Sequence, residues 1–127
     1  MSTTDLPPEP WLAPWFQHPG RTELPSGHHL RPLRAADSGL PGLPATFDLS
    51  WAVAAVASRS AFVYGVFDDE EGAVLGLVHL APGPPDHDVD VRWTVAGCPR
   101  LAVGIAGYLP GWLERCWPFV RPAISAD

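Results

Sequence analysis

The chain of 127 residues reads as a single α+β domain, an antiparallel strand meander packed against helices. Three observations predict this. Residues 61–67 and 73–80 are rich in β-branched and aromatic side chains, and the acidic, glycine-ended stretch 68–72 between them completes the pattern of a hairpin. In residues 87–95, Val89, Val91, Trp93 and Val95 fall on one face and Asp88, Asp90, Arg92 and Thr94 on the other, which adds a third antiparallel strand. Residues 101–117 then carry Leu101, Ile105, Leu109, Trp112 and Leu113 at the spacing of an amphipathic helix.

The elements follow in order. Residues 1–27 combine repeated prolines with Trp11, Leu12, Trp15 and Phe16, too proline-rich for a helix and too aromatic for a solvated tail; they predict an extended arm whose aromatics pack on the domain. Residues 28–33 form a short strand that buries Leu30 and Leu33, and Pro32, lacking a ladder donor, marks an edge position or an early end. A loop with at most one helical turn spans 34–44. Asp48 or Ser50 then caps a helix over 48–58 that carries Leu49, Trp51, Val53 and Val56. After the hairpin, the proline-rich stretch 81–85 is a rigid loop. Pro99 suits the first turn of the long helix, Pro110 is expected to kink it, and 119–124 forms a last short strand. The organisation is an arm over 1–27, a domain over 28–124 and a tail over 125–127.

Composition excludes several functions. Six tryptophans and 46% apolar residues provide the surface a disordered chain lacks. A net charge of −6 argues against nucleic acid, whose binding rests on basic residues neutralising phosphates. No stretch has the layout of a secretory signal, and the longest apolar runs fall short of the ~20 residues of a membrane helix, so a cytoplasmic protein without a membrane partner is expected. Cys98 and Cys116 stand at opposite ends of one helix, too far apart for a disulfide.

The order strand, helical segment, hairpin, strand, helix is accompanied by four segments, of which the last is the more distinctive: HHLRPLRAAD at 28–37, FVYGVFDDEEGAVLGLVHL at 62–80, DVRWTV at 90–95 and LPGWLERCWPFVRP at 109–122. Together these resemble the GNAT acyltransferase superfamily over residues 27–122, as a shortened and divergent bacterial member. The resemblance implies a truncated GNAT-like fold that takes acetyl-CoA or another acyl-CoA and moves the acyl group to a small amine. The alternative it leaves is a degenerate GNAT-like module without transfer activity that binds a small molecule or a protein. In such enzymes the third meander strand pairs with the pantetheine arm, which points here to Trp93, Thr94 and Val95. The Q/R-x-x-G-x-G/A loop that holds pyrophosphate corresponds to CPRLAVGIAG, where Arg100 and Gly104 match only with one extra residue between them.

Aminolysis of a thioester needs a base for the amine proton and an acid for the leaving thiolate. Asp90 matches a position where GNAT relatives place a carboxylate, and Tyr108 is the candidate acid, although neither it nor Tyr64, the other phenol, stands where the family usually has one. Asp86, His87, Asp88 and Asp90, with His79 across the loop, offer metal-ligand types, but strand alternation turns His87 away, and an acidic loop without a metal is the expected reading. Cys98 at a helix start has no histidine near it in sequence and reads as an inert small residue. Unpaired edges of so short a meander predict a homodimer.

Overall fold

The alternating stretches pair into one six-stranded mixed sheet in the order β1-β2-β3-β4-β5-β6: Thr22–Glu23, His29–Pro32, Phe62–Phe67, Gly76–Ala81, Val89–Val95 and Pro122–Ala126. The computed structural model describes residues 16–25, 27–83 and 86–126. Strands β1 to β5 are antiparallel neighbours, whereas β5 and β6 run parallel. A parallel pair requires a crossover. Here it is helix α2, Pro99–Cys116, while α1, Leu49–Ser58, lies between β2 and β3 after a 3-10 turn at Ala35–Gly39.

The expected hairpin is β3–β4, with Phe62 opposite Leu80 and Val66 opposite Gly76. Its second strand starts three residues later than the composition of 73–80 suggests, because Val74 turns its N–H to the Pro41 carbonyl at 2.8 Å. Gly42 permits that approach: its φ is +103°, and a Cβ there would stand 2.0 Å from the Val74 carbonyl oxygen. Strand β1 was not expected. It pairs only with His29 and Leu30, so Pro32, the last residue of β2, keeps a ladder neighbour on the β3 side alone, where a missing donor on the other side costs nothing.

The last strand begins at Pro122, beyond the expected 119. Trp117 and Phe119 stack in the core at 5.4 Å, and the Asp88 carboxylate accepts the N–H groups of Val120 and Arg121 at 2.6 and 2.9 Å, so this stretch is committed before the ladder starts. Asp88 is thus a fastener between β5 and β6. α2 continues through Pro110 as an 18-residue helix.

The two helices cover opposite sheet faces. Under α2, Leu30, Phe62, Tyr64, Val66, Val78, Leu80, Val89 and Val91 meet Leu101, Ile105, Leu109, Trp112 and Leu113. Residues 16–19 lie over one end of this core: Phe16 meets Trp117 at 5.5 Å, His18 meets Phe62 at 4.9 Å, and the Tyr64 hydroxyl donates to the Pro19 carbonyl. The arm expected to cover the core does so over these residues; Trp11 and Trp15 lie outside the described residues. On the other face, Leu33, Ala52, Val63, Phe67 and Val74 make a smaller cluster beneath α1. α1 is capped by Asp48, whose Oδ1 accepts the Trp51 N–H at 3.0 Å. Asp48→Ala is expected to cost about 1 kcal/mol of stability in urea denaturation, the ordinary value of an N-cap.

Candidate functional site

Alternation along β3, β4 and β5 sends Val63, Leu77, His79, Arg92 and Thr94 to the face opposite α2. The register sets them side by side, with Val63 opposite His79, His79 opposite Arg92 and Leu77 opposite Thr94. α1 has only ten residues and leaves part of this face open. Trp51, in its first turn, reaches across so that its ring stands 5.9 Å from that of His79, tilted by 52°. Half of Trp51 is exposed, at 51%.

Two cavities share Trp51 and His79 as a common wall. One, of about 450 Å³, runs between the end of α1 and the start of β3, and Ala54, Ala55, Ala61 and Ala81 give it small walls beside the indole. The other, of about 280 Å³, extends toward β5 and is closed by Phe47, Asp48, Arg92 and Thr94. Together they form a groove that is mostly apolar and carries a few convergent polar groups, the ordinary make-up of a small-molecule site.

A second polar cluster lies at the β2 end of the same face. Arg31 holds Asp37 with two bonds of 2.9 and 2.8 Å and Glu71 with one of 3.0 Å, while its guanidinium stacks on the Phe67 ring at 4.0 Å. Gly65, opposite Arg31, makes room: a Cβ there would meet the Phe67 ring at 2.6 Å. His29, fully buried, donates from Nε2 to Glu71 and stacks on Phe67. Arg31 holds the carboxyls of Asp37 and Glu71 below the usual carboxylate range, with the Arg34 N–H assisting at Asp37 and His29 at Glu71. A cavity of about 470 Å³ beside it is lined by Arg21, Arg31, Pro32, Arg34 and Glu71. The charges here answer one another, and the cluster reads as a structural tie.

The residues that the sequence nominates do not converge. Asp90 is on the groove face, half-buried, and receives the Arg92 Nε–H at 3.1 Å. Tyr108 is half-buried against the core under α2, with the Arg115 guanidinium 5.6 Å from its ring centre. Val89 and Val91, which flank Asp90, are buried in that core, so Asp90 and Tyr108 occupy opposite faces of the sheet and do not form an acid–base pair. Trp93 and Val95 pack on the α2 side, whereas Thr94 lines the groove. Arg100 is exposed in the first turn of α2, and Gly104 faces open space. Cys98 precedes α2, exposed and without a side-chain cap bond. Burial pushes the Tyr64 phenol far up, so it cannot exchange protons near neutrality.

Among the described residues no group of His, Cys, Asp and Glu side chains is placed to hold a metal. No helix there is long and apolar enough to cross a membrane. Comparison with protein-family models, characterised proteins and solved structures finds no match to this chain.

Trp51 and His79 were not singled out as a pair by sequence. His79 came forward only as a possible metal ligand and Trp51 only as a helix residue. The alternation of 76–81 does carry a signal, since it sets His79 opposite in direction to the core residues Val78 and Leu80.

Proposed function

We propose that the chain is a GNAT-like protein that binds an acyl-CoA, acetyl-CoA being the simplest, along the end of β5 and passes the acyl group to a small amine in the Trp51–His79 groove. One observation carries this reading. Thr94 belongs to the strand end that the resemblance assigns to the cofactor and is also a wall of the groove. A thioester lying along that strand end would present its carbonyl to an amine in the groove.

The strand order adds support. β5 is joined to a parallel partner through α2, and among the described residues β6 pairs only with 89–93, leaving Thr94 and Val95 paired to β4 alone. Among the described residues no strand takes the backbone groups of Thr94 and Val95 on that side, where the amides of a pantetheine arm would pair. The start of α2, directly beyond, offers its free N–H groups to phosphate, apart from the donor that Pro99 lacks.

A second reading is favoured by the ion pair of Asp90 with Arg92 and by the separation of Asp90 from Tyr108: a module that binds the ligand without transferring the group. Thermal unfolding with millimolar acetyl-CoA tests binding. At ~100 times the dissociation constant the native state gains about 2.7 kcal/mol, roughly 10 °C in midpoint for a domain of this size. No shift overturns the acyl-CoA reading. A shift without release of free thiol on adding amines selects the non-transferring module.

A further inference from the structure

Among the described residues the sheet ends in β1 on one side and β6 on the other, and the two edges are built differently. β1 is two residues long, and Glu23 within it binds the Arg21 guanidinium through two bonds of 2.8 and 3.1 Å. A short, charged edge of this kind resists the addition of another strand. β6 is five residues long, contains no charged side chain and pairs along its whole length with 89–93 of β5. Among the described residues no strand pairs with its other side, and Ser125 and Ala126 are exposed. The row of backbone groups on that side is a template for a further strand.

The charges that flank β6 select the occupant. Residues 121–127 read RPAISAD, with one charge before the strand and the opposite charge after it. Laid antiparallel against itself about Ile124, this segment sets Arg121 of each copy opposite Asp127 of the other, Pro122 opposite Ala126 and Ala123 opposite Ser125. Directly opposed residues of an antiparallel pair share a face, and opposite charges there attract. The register with β5 gives Ala123 the face of Asp90 and Ile124 the face of Val91. Ile124, half-buried at the border of the core under α2, would therefore meet its own copy and continue that core across the seam, with the Arg–Asp pairs on the α1 face. Arg121 is exposed and belongs to none of the ion pairs among the described residues, and Asp88 beside it is already committed to the backbone N–H groups of Val120 and Arg121. Pro122, which lacks a donor, stands at the first position of the strand, where that is tolerated.

We propose that two copies of this chain pair through β6, antiparallel about a two-fold axis at Ile124, into one continuous sheet. The same patch meets itself, so each Arg–Asp pair occurs twice in the dimer. The inference stands independently of the acyl-transfer reading above. A seam of one strand from each copy is small, which places this dimer among the weak interfaces.

Sedimentation equilibrium of the full chain at concentrations from about 1 μM to about 1 mM is expected to show a monomer passing into a dimer. Arg121→Glu and Asp127→Arg each set like charges opposite one another and are each expected to raise the dissociation constant by about tenfold. The two substitutions in one chain exchange the charges and are expected to restore wild-type association. Glu23→Ala, at the β1 edge, is expected to leave association unchanged. Should Arg121→Glu fail to fold, Asp127→Arg decides, since its site follows the last strand. A wild type that stays monomeric throughout the range overturns the proposal and leaves the β6 edge to another segment or protein. A dimer that neither single reversal weakens, or that the double variant does not restore, overturns the pairing about Ile124. Loss of the dimer in Glu23→Ala moves the contact to the β1 edge and overturns the proposal as well.

Discussion

Arg31→Ala is expected to destabilise the protein by about 3–5 kcal/mol, the range found when one partner of a buried ion pair is removed and the other is left uncompensated. Arg31 carries most of its cluster: it satisfies both oxygens of Asp37, binds Glu71 and covers the Phe67 ring. Its removal strands the Asp37 carboxylate, which is nearly fully buried. The cluster ties β2 to the turn before β4 and to the 3-10 segment, so its loss loosens three segments at once. Urea denaturation at neutral pH measures the effect.

The same cluster sets a pH dependence. Asp37 and Glu71 have folded-state pKa values below their ordinary ones, chiefly through Arg31, so the unfolded chain binds more protons between the two values and stability rises with pH there. The stabilisation is fully present above the ordinary carboxylate range of ~4 and is lost as pH falls through the lower, folded values. Urea denaturation from pH 6 down to pH 2 should therefore show a steep acid loss in the wild type and a flatter profile in Arg31→Ala. Parallel profiles would refute the role of Arg31 in lowering these two groups.

Trp112→Ala is expected to cost about 3–5 kcal/mol, as for large-to-small changes at fully buried aromatic sites. Trp112 is completely inaccessible and makes edge contacts with Tyr64 at 5.2 Å and Trp117 at 5.5 Å. Those contacts join α2 to β3 and to the segment that leads into β6, so the cavity opens where the crossover is held to the sheet. Val103→Ala, on the same helix but 73% exposed, is the control and is expected within about 0.5 kcal/mol of wild type. A thermal midpoint of Trp112→Ala equal to that of the control would show that α2 docking does not depend on this indole.

The groove was the least legible part of the chain. Trp51 and His79 are 28 positions apart, and whether they meet depends on how α1 crosses the sheet, which helix periodicity does not encode. The charge cluster joins His29 and Arg31 to Glu71, forty or more residues away, through a turn in which Glu71 itself adopts φ +53°. Asp90 and Tyr108 were each reasonable as isolated residue types; their separation follows from α2 packing on the face that Asp90 does not share.

By itself the sequence determined the elements whose signal is local: the β3–β4 hairpin, the two-faced strand β5, the helix α1 and the apolar stripe of α2. In these the side-chain period of two or 3.6 residues is written into consecutive positions. Only the tertiary structure decided that β1 joins the sheet, that β6 returns parallel to β5 with Asp88 marking its start, and which face each helix covers. The physical reason is that pairing between distant strands is chosen by register, and a shift of one residue turns every side chain to the other face. The site depends on that choice, because Thr94, His79 and Trp51 reach one groove only in the register observed.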